Sequence, residues 1–166
     1  AVSLQVSAVV LDFSPRPPQA TTITFLDVGQ SDSALIEMPD GRRILIDGGG
    51  VATGRFLGLR DESTFSIGET VVSAYLFKRE FRRLDTVVLT HAHNDHIDGL
   101  FDVLENFQIG ELWVGRNPPV PAYSSLLALA LKRGVAVRRV WAGQTIGEFT
   151  VLYPPFLWRV RRTAEN

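Results

Sequence analysis

The feature that most constrains this chain is an apolar run, Thr86-Val87-Val88-Leu89, that leads almost directly into His91-Ala92-His93-Asn94-Asp95-His96. A short run of this kind reads as a buried strand, here Leu84 to Thr90. Where the chain stays extended, residues two apart point the same way, so His91, His93 and Asp95 project to one side. His96 enters at the start of the helix that follows, Ile97 to Phe107, and adds a fourth donor from a different angle. All three histidines of the chain lie within these six residues. A strand end feeding a helix start thus gathers three imidazoles and a carboxylate without long-range pairing.

The chain contains no cysteine, so disulfides, thiolate metal sites and a cysteine nucleophile are excluded. Any metal must be held by imidazole and carboxylate, a donor set suited to zinc, manganese or iron. The partial positive charge of a helix start favours an ionised Asp95 and discourages a protonated His96. A bound cation would further keep the imidazoles neutral. The competing reading makes these surface residues, with Asn94 or Asp95 only capping the helix. Three histidines and an aspartate at this spacing, after a hydrophobic strand, favour the metal.

Other carboxylates have two readings each. Asp47 ends a strand before Gly48-Gly49-Gly50. It is either a turn residue satisfying backbone amides or a partner that accepts a hydrogen bond from a ligating histidine and fixes its tautomer. Asp27 and Asp32 flank Gly29 in a similar loop, where a turn role and a site role are equally open. The glycine run permits backbone angles closed to other residues.

With 166 residues the chain has the length of one domain. A formal charge of −1 gives no bulk attraction to nucleic acid or anionic membrane. The clusters Lys78, Arg79, Arg82, Arg83 and Arg159, Arg161, Arg162 read as solvated faces. Residues 1–19 form an N-terminal segment ending in a stiff proline linker, Ser14 to Pro18, and 20–166 form the domain. The stretch Ala1 to Phe13 is too short to span a bilayer. It reads as an extra strand or as the frayed end of something preceding the domain.

Strands are expected at Thr22 to Val28, Ser33 to Met38 and Arg43 to Ile46, the last two joined by a turn at Pro39-Asp40-Gly41. Residues 51–67 read as a long loop. Gly68 to Phe81 has helical spacing at Val71, Val72, Tyr75 and Leu76. Glu111 to Val114 is a strand, Tyr123 to Lys132 a helix stopped by Gly134, and Val135 to Val140 and Glu148 to Tyr153 are strands. The order is an α/β layering with helices outside a mixed sheet.

The stretch His91 to His96 matches the H-x-H-x-D-H motif of the metallo-β-lactamase superfamily. Phe25-Leu26-Asp27-Val28-Gly29-Gln30-Ser31-Asp32, Ile44 to Gly49, and Arg83-Leu84-Asp85 running into Leu89-Thr90-His91 resemble the C-terminal domain of ComEC-type bacterial competence proteins. The similarity runs from about Thr22 to Pro155. It implies the N-terminal portion of an αββα sandwich with a two-metal site, His91 and His93 serving one ion, Asp95 and His96 the other, and Asp47 beside them. Zinc or manganese is the implied metal. The resemblance also implies attachment to a membrane channel domain of the same protein, on the outer side of the cell membrane, and incoming DNA as substrate. Ser31 stands where the family usually has glycine, and Asp98 replaces a common glycine after the motif. Family members continue further and supply more ligands from later loops, so this chain reads as incomplete at its C-terminus.

These readings lead to metal-dependent phosphodiester hydrolysis, with Asp95 primarily a ligand that can also orient the attacking water. A soluble hydrolase of small esters or phosphodiesters and a catalytically incomplete module are the alternatives. Half of a two-sheet sandwich would leave an apolar sheet face uncovered and promote self-association.

Overall fold

The computed structural model describes residues 15–50 and 66–156. The stretch Ala1 to Phe13 and nearly all of the expected long loop, residues 51–65, lie outside them. Six strands form one sheet in the order β1-β2-β3-β4-β5-β6. They are β1 (Thr22–Phe25), β2 (Ala34–Glu37), β3 (Arg43–Ile46), β4 (Arg83–Leu89), β5 (Gln108–Val114) and β6 (Ala136–Arg139). The first three pair antiparallel through short connections. From β3 onward every neighbour is parallel, because each connection returns through a helix. This is a mixed α/β sheet consistent with the metallo-β-lactamase fold.

Side-chain alternation divides the sheet into two apolar faces. Leu35, Leu45, Val87, Leu89, Leu112 and Val114 belong to the main core with the helices. A π-helical turn, Gly68–Ser73, runs into α1 (Ala74–Lys78), and it packs against α2 (Asn94–Asn106), which in turn meets α3 (Pro121–Lys132). The predicted helix over 68–81 therefore ends earlier. Its buried residues, Gly68, Val72, Ser73 and Leu76, are spaced partly by the wider π winding. Helix α2 starts three residues before the predicted Ile97. Its buried stripe of His96, Ile97, Leu100, Val103 and Leu104 faces the sheet and carries the histidine motif into the core edge.

The other face carries Ile36, Met38, Ile44, Ile46 and Val88 in a smaller cluster with Phe149. The expectation of a bare face needs correction. A hairpin, β7 (Thr145–Ile146) and β8 (Phe149–Thr150), brings Phe149 edge-on to Trp113 at 6.3 Å between ring centres. Ile44 and Trp113 are buried as a result. The predicted final strand is only two residues long, and the chain from Val151 to Pro154 walls a cavity of about 1210 Å³ over this face. That cavity opens onto His91 and His93.

Candidate functional site

The site forms where two strand ends meet a helix start. β3 ends at Ile46, and Asp47 follows with φ of +57°, a left-handed conformation that aspartate tolerates better than most residues. The turn is locked from both sides. The Asp47 amide donates to the Val88 carbonyl, and the Ser33 hydroxyl donates to the Asp47 carbonyl, each at 2.9 Å. The buried Asp47 carboxylate is thereby aimed at the end of β4.

Three groups converge on that carboxylate. The Thr90 amide donates to Oδ1 at 2.8 Å, the Thr90 hydroxyl to Oδ2 at 2.6 Å, and His96 Nδ1 lies 2.8 Å from Oδ2. Burial pushes the Asp47 carboxyl up from its ordinary pKa, and the bonds from Thr90 and His96 oppose that shift. A carboxylate accepts only, so His96 carries a proton on Nδ1 and turns its Nε2 outward. Thr90 spends its single hydroxyl proton on Asp47. It therefore accepts from His91 Nδ1 at 3.1 Å, and His91 also turns its Nε2 outward. One carboxylate fixes the tautomer of two histidines, one directly and one through a threonine.

The outward nitrogens face other donors in pairs. His91 Nε2 stands 3.1 Å from His93 Nδ1. Two nitrogens on one tetrahedral zinc, each about 2.0–2.1 Å from it, stand roughly 3.3 Å apart. His96 Nε2 lies 3.6 Å from Asp95 Oδ2 and 3.8 Å from Asp32 Oδ2. The rings of His91 and His96 are 4.0 Å apart between centres. Burial holds the His91 imidazole below its ordinary pKa, and His96 and His93 push it further down, so it is neutral and able to ligate at pH 7. The donor chemistry thus fits divalent ions, pair by pair. Among the described residues no group of three or more His, Cys, Asp or Glu side chains is arranged to hold one ion. The expectation of four donors meeting at one point gives way to two facing pairs.

The remaining sequence candidates separate. Asp32 sits at the site, with an exposed carboxylate near His96 and a carbonyl that accepts from the Gly49 amide at 3.0 Å. Asp27 makes a turn contact, accepting from the Gly29 amide at 3.4 Å. Helix α2 takes His93 as its N-cap, and that residue makes no side-chain capping bond. Ser31, in place of the usual glycine, donates its hydroxyl to the Gly50 carbonyl at 2.5 Å. The Asp98 side chain lies against Gly50.

The glycine run acts mainly through closeness. Gly49 alone of the three has a left-handed φ, at +67°. Gly48 and Gly50 allow the loop to touch the first turns of α2, where a Cβ would meet Leu100 N at 2.4 Å or Asn94 O at 2.0 Å. Backbone bonds from Gly48 to His96 and from Gly99 to Gly49, both 2.9 Å, seal that contact. Sequence reasoning missed Thr90 and Asn117. The Asn117 side chain accepts from the Ala92 amide at 2.8 Å and so holds the loop between His91 and His93. Its position, just past the end of the strand parallel to β4, was the available signal.

The profile of the Metallo-beta-lactamase superfamily matches residues 26–158. ComE operon protein 3 of Bacillus subtilis (strain 168) is 31% identical over 139 residues, which are 80% of this chain and 18% of that protein. The chain therefore spans less than a fifth of that relative's length. Among the described residues no helix is long and apolar enough to cross a membrane.

Proposed function

The chain belongs to the metallo-β-lactamase superfamily, and from that premise we propose that it is the metal-dependent hydrolase domain of a ComEC-like DNA-uptake protein, acting on the phosphodiester bonds of incoming DNA. The observation that carries this reading is the orientation of the histidines. Asp47, directly and through Thr90, holds protons on the inner nitrogens of His96 and His91, so it is their outer nitrogens that face Asp95 and His93.

His91 and His93 would hold one divalent ion, and Asp95 and His96 another, with zinc or manganese suited to these donors. When bound, such ions polarise a phosphoryl oxygen and acidify water. The chain's own residues do the rest. Asp47 orients the imidazoles, Asp95 can accept a hydrogen bond from a water lying beside it, and Asn117 keeps the ligand loop in place. The apolar cavity beside His91 and His93 borders the site on the sheet side.

By the resemblance to ComEC-type proteins, the domain would stand on the outer side of the cell membrane, joined to a channel domain of the same protein. The test is cleavage of single-stranded DNA by the purified chain and by a longer form of it, with manganese or zinc added. Cleavage that requires the metal and is lost in His91→Ala supports the reading. Metal-loaded protein that leaves DNA intact contradicts it.

A second reading, a module that binds metal without turnover, is favoured by one observation: among the described residues no group of three or more His, Cys, Asp or Glu side chains is arranged to hold one ion. Metal binding by a longer form without hydrolysis of DNA or of chromogenic esters would select it. Ester hydrolysis without DNA cleavage would instead select a small-ester hydrolase.

A further inference from the structure

We propose that Arg116 is the anchor for the substrate's anionic group, and that it directs this site toward phosphodiesters rather than neutral esters. The inference rests on the hydrolase reading above and adds the residue that selects the substrate class.

The placement follows from strand register. β4 and β5 run parallel, and Leu89 and Val114 are their last paired residues. Continuing both chains by two residues sets Arg116 level with His91. The chains do stay together beyond the sheet. Gly115 lies beside Thr90, where an added Cβ would stand 3.9 Å from the Thr90 carbonyl oxygen, and Asn117 accepts from the Ala92 amide at 2.8 Å. Neighbouring strands are about 4.8 Å apart, and an arginine side chain is longer than that. Arg116 and the first ligating histidine therefore share one stretch of the cavity wall, and both line it.

The charge environment singles the residue out. Two cavities flank the histidine loop and meet at Ala92 and His93. Their described linings hold one Lys or Arg side chain between them, Arg116. Arg42, Arg79, Arg83 and Arg138 each lie on a carboxylate. Arg116 is exposed and makes no hydrogen bond or ion pair to any described residue. Asp95 lines the cavity on the opposite side of His93. An anion entering there would thus meet the one guanidinium of the described linings at the His91 side, where the planar fork can take two non-bridging oxygens of one phosphate.

The neighbouring wall suits what a phosphodiester carries. Trp113 and Tyr153 line the same cavity. The Trp113 indole N–H is taken by Glu111 at 2.7 Å, so this ring offers only apolar surface. A nucleobase or sugar can rest there while its phosphate reaches Arg116.

The test compares binding of thymidylyl-thymidine, which has one charged phosphodiester, with its neutral methylphosphonate counterpart. Zinc-loaded wild type, Arg116→Gln and Arg116→Lys are titrated, with metal content measured for each. In Arg116→Gln we expect unchanged metal content and an affinity for the charged dinucleotide lower by about ten- to a hundredfold. Affinity for the neutral analogue should not move, and Arg116→Lys should recover part of the loss. Equal weakening for both analogues, or none for either, overturns the anchor. If wild type binds the charged dinucleotide through Arg116 yet cleaves no DNA, the hydrolase reading fails and the anchor stands. If Arg116→Gln cleaves and binds as wild type does, the anchor fails and the hydrolase reading stands.

Discussion

Asp47 Oδ2 lies 2.8 Å from His96 Nδ1 and, through the Thr90 hydroxyl, is also tied to His91. This contact joins two strand ends to a helix start and determines which nitrogen each imidazole presents. Replacing Asp47 by Ala removes a buried acceptor and leaves Thr90 and His96 donors unmet. That change should cost about 1–3 kcal/mol of stability and lower metal affinity about 10–100-fold. Asp47→Asn keeps the size and the left-handed tolerance, but offers His96 an N–H₂ or a weaker acceptor. It should lose metal affinity with a smaller stability loss. Chemical denaturation and metal titration of both variants separate the two effects.

The contact between the glycine loop and helix α2 leaves no room for a methyl group. A Cβ on Gly99 would lie 2.0 Å from the Gly48 carbonyl oxygen. Gly99→Ala should therefore destabilise the fold by about 3 kcal/mol, at the upper end of overpacking costs, because the obstruction is backbone. Gly50→Ala meets the Asn94 carbonyl oxygen at 2.0 Å, at the helix start that carries Asp95 and His96. It should lower metal affinity as well as stability. Thermal unfolding with and without zinc reads both; a Gly99→Ala protein as stable as wild type would contradict the packing described.

Much of this was legible in the sequence, and the reasons are local. The run from Thr86 to His96 carries its own strand signal, ligand spacing and helix start, so the histidine cluster needed no tertiary information. The role of Asp47 did need it, because a strand-end aspartate before glycines is equally consistent with a turn. The choice depends on Thr90 and His96, more than forty residues away. The glycines misled in part: their chemistry suggests unusual backbone angles, while the fold uses Gly48 and Gly50 for close approach. The second sheet face was expected bare because the chain reads as half of a two-sheet sandwich; the short hairpin that seats Phe149 there reads in sequence as one strand, Glu148 to Tyr153.

Asn117 acts on the loop backbone and touches no ligand. Asn117→Leu removes the acceptor for the Ala92 amide and should weaken metal binding about tenfold, the lower end for residues that orient ligands. Asn117→Asp retains an acceptor at that position and should restore most of it. Metal affinity measured by competition with a chelator is the readout. Loss in both variants alike would show that the bond to Ala92 is not what matters.

Glu111 provides the acid-side prediction. The bonds from Arg138 at 2.9 Å and Trp113 at 2.7 Å hold its carboxyl below the ordinary value of 4.5. The folded state therefore favours the ionised form. Its stabilisation is fully present above about pH 4.5 and fades as pH falls through the lower folded value. The pair is partly exposed, so the effect is modest, about 0.2–1 kcal/mol. Glu111→Gln should lose stability at pH 7 and show a correspondingly weaker decline toward pH 3, a difference readable in urea midpoints.

The central claim is that Asp47 fixes the tautomers of His91 and His96 so that their outer nitrogens can ligate. Long-range proton–nitrogen correlation spectra of the imidazoles, recorded at neutral pH without metal and then with zinc, test it most directly. The account predicts the proton on Nδ1 of both His91 and His96 before zinc, and zinc-induced shifts at His91 Nε2, His93 Nδ1 and His96 Nε2. A proton on Nε2 of His96, or imidazole signals indifferent to excess zinc, would contradict it.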